Sequence, residues 1–245
     1  MISANTNMNQ NPNTQQPARR RAFTLVELLI VIAIIGVLAA FTVVAVSTIK
    51  KKQTISTAQK ELAQIESALE DYKAKYGVYP PANQHPPGDY AAPFDRAQFS
   101  QLYYELSGVT HDTANQSYTT LDGATTIKET EYKSAYGVGG VVNSTKGSGE
   151  DVTSAKNFLS GLKSNQLFDQ VTNSGVRTTE IITTVGGPDS TYKPLLASSL
   201  NPFRYIYPGT NNPNSYDLWV QLVIKGRTNL ICNWSKQVQI NSPLP

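Results

Sequence analysis

The chain has 245 residues, 40% hydrophobic and 16% charged, so it can bury a sizeable core but is low in charge for a cytosolic enzyme. Its net charge of +3 comes from 21 basic and 18 acidic residues. Three of the basic residues are Arg19, Arg20 and Arg21, so the rest of the chain has 18 basic residues (21 minus 3) and 18 acidic residues. This balance excludes the basic footprint of a nucleic-acid-binding protein. With Cys232 as the only cysteine, the chain has no intramolecular disulfide.

Residues 1–22 are predicted to form a cytoplasmic leader. The first 17 residues are rich in Asn, Gln and Thr and lack acids, a composition that buries too little surface to fold. The segment from Leu28 to Val46 then holds 19 uncharged residues, about the length of a bilayer-spanning helix. Arg19–Arg21 before it and Lys50–Lys52 after it predict a single-pass helix with a cytoplasmic N-terminus.

The residues of this segment leave three interpretations open. A secretory signal has an apolar region of roughly 7–15 residues before a small-x-small cleavage site, which Ala45-Val46-Ser47 supplies after a longer run. An uncleaved signal anchor explains the length and the flanking charges but gives Glu27 no role. The third interpretation is a membrane helix in which Glu27 has a function and a partner, because a charged side chain at the start of an apolar helix is costly unless a partner offsets it.

The stretch Ala22-Phe23-Thr24-Leu25-Val26-Glu27-Leu28-Leu29 resembles the N-terminal motif of type IV pilins and type II secretion pseudopilins. The resemblance implies that a prepilin peptidase cuts between Ala22 and Phe23 and N-methylates Phe23, with Arg19–Arg21 as the leader charge. It also implies a role in assembly for Glu27. The family usually has Gly before the cut, and the small side chain of Ala22 takes its place here.

Cleavage would create an ammonium group on Phe23, one helical turn from Glu27. In a filament, the Glu27 carboxylate of one subunit can meet the Phe23 amine of its neighbour. Opposite charges at ~4 Å attract by several kcal/mol in surroundings of low dielectric constant, although desolvation offsets much of this. We therefore expect the pair to set the register between subunits.

An amphipathic continuation is predicted beyond the lysines. Apolar side chains recur every three or four residues, at Ile55, Ala58, Leu62, Ile65, Leu69, Tyr72 and Tyr76. Gly77 and Pro80-Pro81 end this pattern, and no proline interrupts it. We therefore predict one unkinked helix from Phe23 to Tyr76, with a transmembrane and assembly part (23–53) and an amphipathic part (54–81).

Residues 82–245 are predicted to form a periplasmic globular domain of the α+β class, with the long helix packed against a C-terminal antiparallel sheet (201–235). That sheet is similar to the one in the pseudopilins of type II secretion. Short helices are expected at Phe94–Leu106 and Ser154–Phe168. Strands are expected around Tyr118 and Val141-Val142 and at Val176–Val185, Phe203–Tyr207 and Tyr216–Ile224. Residues 82–200, called the enlarged region below, have no assigned role.

No catalytic or metal site is predicted, and an enzyme is disfavoured. The two histidines, His85 and His111, have no zinc-ligand spacing, and neither GxxxxGK[ST] nor GxSxG occurs. Resemblance to pseudopilins raises the question of calcium, but Gln221–Ile231, where that family often has an acidic loop, contains no acid. Asp217 is expected to be a turn or edge residue, and we expect no cofactor.

These features predict a structural subunit of a pilus-like filament, most simply a type II secretion pseudopilin that helps protein export. Two alternatives stay open. One is a surface type IV pilus subunit, and the other is a monomeric membrane-anchored module that binds carbohydrate or protein through the enlarged region. The resemblance implies four partners: the prepilin peptidase, further copies of the chain, inner-membrane platform proteins and the lipid bilayer. It also implies location in the bacterial inner membrane with a periplasmic C-terminal domain.

Overall fold

The computed structural model describes residues 23–85, 96–146, 153–172, 175–186, 193–195 and 200–241, with only the backbone for residues 41–47. The predicted leader, with Arg19–Arg21 and Ala22, lies outside the described residues. The chain divides into two units, Met1–Thr48 and Ile49–Pro245, and α1 (Leu25–Tyr76) contributes residues to both.

The long helix α1 confirms the predicted end at Tyr76 and begins two residues after the predicted start. Gly77 stops it in a left-handed conformation (φ 78°), and its N–H donates to the carbonyl oxygen of Lys73 at 2.7 Å. Among the described residues, no helix has both the length and the apolar composition needed to cross a bilayer.

The amphipathic stripe of α1 is confirmed within the second unit. Leu62, Ile65 and Leu69 are buried in one apolar core, together with the side chains of Ala58 and Tyr72. Ile55 and Tyr76, at the two ends of the stripe, are partly buried against that core. The folded domain therefore packs against this face of the helix.

An antiparallel C-terminal sheet shares that core. Its strand order is β10-β9-β8-β7, made of β7 (Arg204–Ile206), β8 (Asp217–Ile224), β9 (Arg227–Cys232) and β10 (Ser235–Ile240). Leu218, Val220 and Leu222 alternate along β8 and belong to the same core as the stripe of α1. A long N-terminal helix with a C-terminal antiparallel sheet confirms the α+β class, and β7 and β8 confirm two predicted strands.

A separate antiparallel sheet adjoins the C-terminal one. It is formed by β4 (Leu167–Val171) and β5 (Arg177–Thr183) of the enlarged region and by β6 (Asn201–Pro202), in the order β4-β5-β6, and β5 confirms the strand predicted at Val176–Val185. β6 and β7 are separated only by Phe203, whose N–H donates to the carbonyl oxygen of Ile181 at 2.9 Å. The two sheets are therefore joined at Phe203.

A buried helix and two carboxylates attach the enlarged region to α1. All residues of α2 (Leu102–Ser107) are buried, and this helix is shorter than the one expected at Phe94–Leu106, with Phe94 outside the described residues. The carboxylate of Glu105 accepts a hydrogen bond from the hydroxyl of Tyr72 on α1 at 2.9 Å. The carboxylate of Glu61 on α1 accepts hydrogen bonds from Thr183 and Thr184 at the end of β5.

A second apolar cluster lies within the enlarged region. It is built on a sheet of β1 (Val109–Asp112), β2 (Ser117–Thr120) and β3 (Thr126–Lys128), followed by α3 (Glu129–Tyr136). The rings of Tyr104, Tyr118, Tyr132 and Tyr136 meet in this cluster, with neighbouring centroids 4.9 to 6.1 Å apart. β2 confirms the strand expected around Tyr118, whereas α3 was not predicted.

Two local predictions were wrong because backbone N–H groups in these segments donate hydrogen bonds to acceptors other than those of the predicted helix or strand. Ser154–Phe168 is not a helix: the N–H of Phe158 donates to the carbonyl of Leu106, and the N–H of Leu159 donates to the side chain of Asn157. A short 3-10 helix, Ser164–Gln166, then leads directly into β4. Val141 and Val142 are not in a strand, since the N–H of Val142 donates to the carboxylate of Glu105 at 2.9 Å.

Glu180 on β5 makes the stability of the enlarged region dependent on pH. Its side chain is 1% exposed and accepts the N–H of Ser100 at 3.2 Å, and burial raises its pKa to about 8. The folded state thus keeps a proton that the unfolded state releases near its ordinary pKa of 4.5. The stabilisation is complete below that value and is lost as the pH rises through about 8.

We expect the free energy of unfolding, measured by urea denaturation, to fall between pH 5 and pH 8 by about 1.4 kcal/mol per pH unit from this group. Glu180→Gln should flatten the profile because amide and carboxylic acid are both neutral. Asp71→Asn, on the exposed face of α1, is the matched control and should leave the slope unchanged. An unaltered slope in Glu180→Gln contradicts the assignment.

Candidate assembly site at the N-terminus of the long helix

The first turn of α1 is closed by a reciprocal pair of side-chain hydrogen bonds. Oε2 of Glu27 accepts from the N–H and from the hydroxyl of Thr24, each at 2.9 Å. The hydroxyl oxygen of Thr24 in turn accepts the N–H of Glu27 at 3.2 Å, and the N–H of Leu28 donates to the carbonyl of Thr24. Thr24 and Glu27 therefore form a capping box.

This geometry gives Glu27 an intramolecular partner that the sequence analysis did not assign. The capping box satisfies backbone donors that the first turn otherwise leaves open, and the carboxylate lies at the positive end of the helix dipole. Thr24 is the functional residue that was missed, although its T-x-x-E pattern is visible in the sequence. The expected pairing of Glu27 with a Phe23 amine stays a prediction.

The described residues around this turn present apolar side chains on every side. Phe23 is 83% exposed, and the exposure of the following large side chains falls from 79% at Leu25 to 47% at Val31. A helix that is apolar all round is stable where lipid or other protein covers it. The site thus combines a capped polar turn with a surface suited to a lipid or protein environment.

The start of α1 thus combines a capped first turn with exposed apolar side chains, and three arginines precede it in the sequence. The prokaryotic N-terminal methylation motif matches residues 17–43. The chain is 39% identical to the type II secretion system core protein G of Pectobacterium carotovorum over 75 residues, 31% of this chain and 48% of that protein.

The core protein G of Escherichia coli is 39% identical over 66 residues, 27% of this chain and 46% of that protein. The corresponding protein of Vibrio cholerae is 35% identical over 66 residues, 27% of this chain and 45% of that protein. The chain thus spans about half the length of these relatives. No solved structure matches it. The resemblance to pilins and pseudopilins, first drawn from residues 22–29, is confirmed.

The residues at the expected calcium position do not fit a calcium site. Ile224 of β8 pairs with Arg227 of β9, so the connection is only Lys225 and Gly226, whose φ values of 53° and 70° define a type I′ turn. This turn consists of one lysine and one glycine, so it offers none of the carboxylates that calcium prefers. Among the described residues, no group of three or more His, Cys, Asp or Glu could hold a metal ion.

Asp217 anchors a neighbouring loop in the same sheet. It is fully buried at the first position of β8, and its carboxylate accepts the backbone N–H groups of Asn211 at 2.7 Å and Asn212 at 3.0 Å. The side-chain amide of Asn211 adds a third bond at 3.0 Å. Protein donors thus satisfy this carboxylate, and the expectation that the chain needs no cofactor stays a prediction.

Calcium should therefore leave the stability of the protein unchanged. Because the turn at Lys225-Gly226 supplies no ligand set, we expect the same melting temperature with millimolar calcium as with an excess of EGTA, measured by differential scanning calorimetry. Magnesium serves as the control for a general salt effect. A rise in melting temperature specific to calcium would reveal a site elsewhere in the chain.

The capping box can be tested with Thr24→Val, which keeps the shape of the side chain and removes its hydroxyl. Loss of the cap should fray the first turn, so the amides of residues 25–28 should exchange hydrogen several-fold faster in the full chain. The measurement is hydrogen–deuterium exchange followed by mass spectrometry. Thr24→Ser keeps the hydroxyl and should restore slow exchange, whereas equal rates in all three proteins would contradict the capping role.

Proposed function

We propose that the chain is a pseudopilin of a type II secretion system, a structural subunit that polymerises to help protein export. The observation that carries the proposal is the methylation motif over residues 17–43 on an apolar helix with a capped first turn. The names of the relatives, each a type II secretion core protein G, favour secretion over a surface pilus. A type IV pilus subunit is the second candidate because it uses the same motif.

Processing is the first step of the proposed function. The apolar run places the precursor in the inner membrane, with Arg19–Arg21 on the cytoplasmic side and residues 82–245 in the periplasm. Prepilin peptidase then cuts between Ala22 and Phe23 and methylates the new amine. This removes the arginine cluster and leaves a single positive charge one turn from Glu27.

Assembly is the second step, and the capping box suggests how Glu27 serves two partners. Within the described part of the chain, both bonds from Thr24 go to Oε2 of Glu27, so Oε1 is open to a donor from another copy. Thr24 holds the carboxylate at the start of the helix while the Phe23 amine of a neighbour approaches it. Lipid would then cover the apolar side chains of residues 25–38 before assembly, and other copies of the chain would cover them afterwards.

Glu27→Ala should leave insertion and cleavage intact but greatly reduce the amount of filament. Both charge and hydrogen bond are lost, so incoming subunits lose the register signal. The measurement is an immunoblot of sheared filaments from cells that co-express the prepilin peptidase and the assembly components. Glu131→Ala on α3 is the control and should assemble normally, while normal filaments from Glu27→Ala would refute the role of this residue.

A further inference from the structure

The enlarged region contains a cavity of about 680 Å³ between the β1–β2 hairpin and the loop of residues 139–146. This volume falls within the roughly 300–1,000 Å³ of small-molecule sites. Residues of both elements line it, and the ones that matter here are His111, Tyr118, Gly140, Ser144, Thr145 and Lys146. All residues that line the cavity belong to the second unit, whereas those of the assembly site belong to the first.

A buried polar network fixes the loop that forms one wall of this cavity. The carboxylate of Glu105 is fully buried and accepts the N–H groups of Val142 at 2.9 Å and Asn143 at 3.0 Å, and burial raises its pKa. The side-chain amide of Asn143 donates to the carbonyl oxygens of Glu105 at 2.6 Å and Lys156 at 2.7 Å. Because such a network specifies one arrangement, the wall is preformed.

The opposite wall is aromatic. His111 and Tyr118 face each other on neighbouring strands, with ring centroids 4.7 Å apart and an angle of 30° between the rings. His111 is oriented by Glu129, whose carboxylate lies 3.4 Å from Nε2 and also binds Lys133 at 2.7 Å. These contacts leave part of the imidazole ring exposed beside the cavity.

The loop approaches the aromatic wall closely at one glycine. A Cβ atom on Gly140 would lie 2.6 Å from the hydroxyl oxygen of Tyr118, which is closer than real contacts allow, and its φ of 153° is also unfavourable for other residues. Gly139, by contrast, would place its Cβ in open space. The cavity therefore depends on the residue at position 140 and tolerates a side chain at position 139.

The lining selects a class of ligand. Ser144 and Thr145 offer hydroxyl donors and acceptors, Lys146 offers one cation, and none of the described lining residues is acidic. A phosphate alone is much smaller than the cavity, and an apolar ligand would make no hydrogen bond to the hydroxyl of Ser144 or to that of Thr145, whose oxygen already accepts the N–H of Ala155 at 3.2 Å. Hydroxyl groups, an aromatic edge and a single cation together match a sugar that carries a carboxylate.

We propose that this cavity is a saccharide-binding site that takes an acidic sugar, with the sugar carboxylate at Lys146 and a ring against His111. The loop hydroxyls of Ser144 and Thr145 bind the hydroxyl groups of the sugar. This activity is independent of filament assembly, so each can fail without the other.

The test uses saturation-transfer difference NMR on the full chain in detergent micelles, with digalacturonic acid as the acidic probe and digalactose as its neutral match. The wild-type protein should transfer saturation to the acidic probe and bind the neutral one about tenfold more weakly, the loss expected for one charge-assisted contact of about 1.4 kcal/mol. Lys146→Met should remove this preference, and because the residue is exposed the variant should fold normally.

Gly140→Ala should abolish binding, and Gly139→Ala is its matched control and should bind as the wild type does. The melting temperatures of both variants separate a lost site from a lost fold, and Lys146→Met decides the question if Gly140→Ala unfolds. Binding of neither probe, or equal binding of both by the wild type, overturns the proposal. Equal binding by folded Gly140→Ala and wild-type protein places any sugar site elsewhere and overturns it as well.

Discussion

Burial of one face of α1 is the constraint on which the folded domain depends. Between Ala58 and Tyr72 this face shares a core with Leu218, Val220 and Leu222 of β8. Each large side chain buried there contributes roughly 1.5–3 kcal/mol, so the face supplies much of the domain's apolar stabilisation. In the first unit the same helix has exposed apolar side chains, and the proposed function assigns lipid and neighbouring copies to cover them.

The enlarged region is integrated into this core. Leu102, Leu106 and Ile181 lie in the same apolar cluster as α1, and the N–H of Phe203, between β6 and β7, donates to the carbonyl oxygen of Ile181 on β5. Buried carboxylates reinforce the attachment, because Glu61 and Glu105 accept hydrogen bonds that join α1 to residues far along the chain. Removing this region would therefore expose core surface of α1, so it is part of the domain even where its role is only proposed.

Sequence periodicity predicted the elements whose side chains face a single core. The stripe from Ile55 to Tyr76 and the alternation in β8 follow directly from one buried face. Periodicity failed where a backbone N–H donates to a side chain and not to another backbone carbonyl. The N–H of Leu159 donates to the side chain of Asn157, and the N–H of Val142 donates to the carboxylate of Glu105. It also failed for α3, in which only Tyr132, Ala135 and Tyr136 are buried, too few to reveal a period. At the assembly site, the motif identified Glu27, whereas its bond to Thr24 was recognised only from the geometry of the first turn, although the T-x-x-E pattern is visible in the sequence.

The central claim is that the chain is a prepilin whose arginine leader is removed, so that a new amine lies one turn from Glu27. The most direct test is intact and peptide mass spectrometry of the protein purified from cells that co-express a prepilin peptidase. The account predicts a mature chain that begins at Phe23 and carries one added methyl group on its amine. A chain that retains Met1 and the arginine cluster, or one that begins at Thr48, would contradict it.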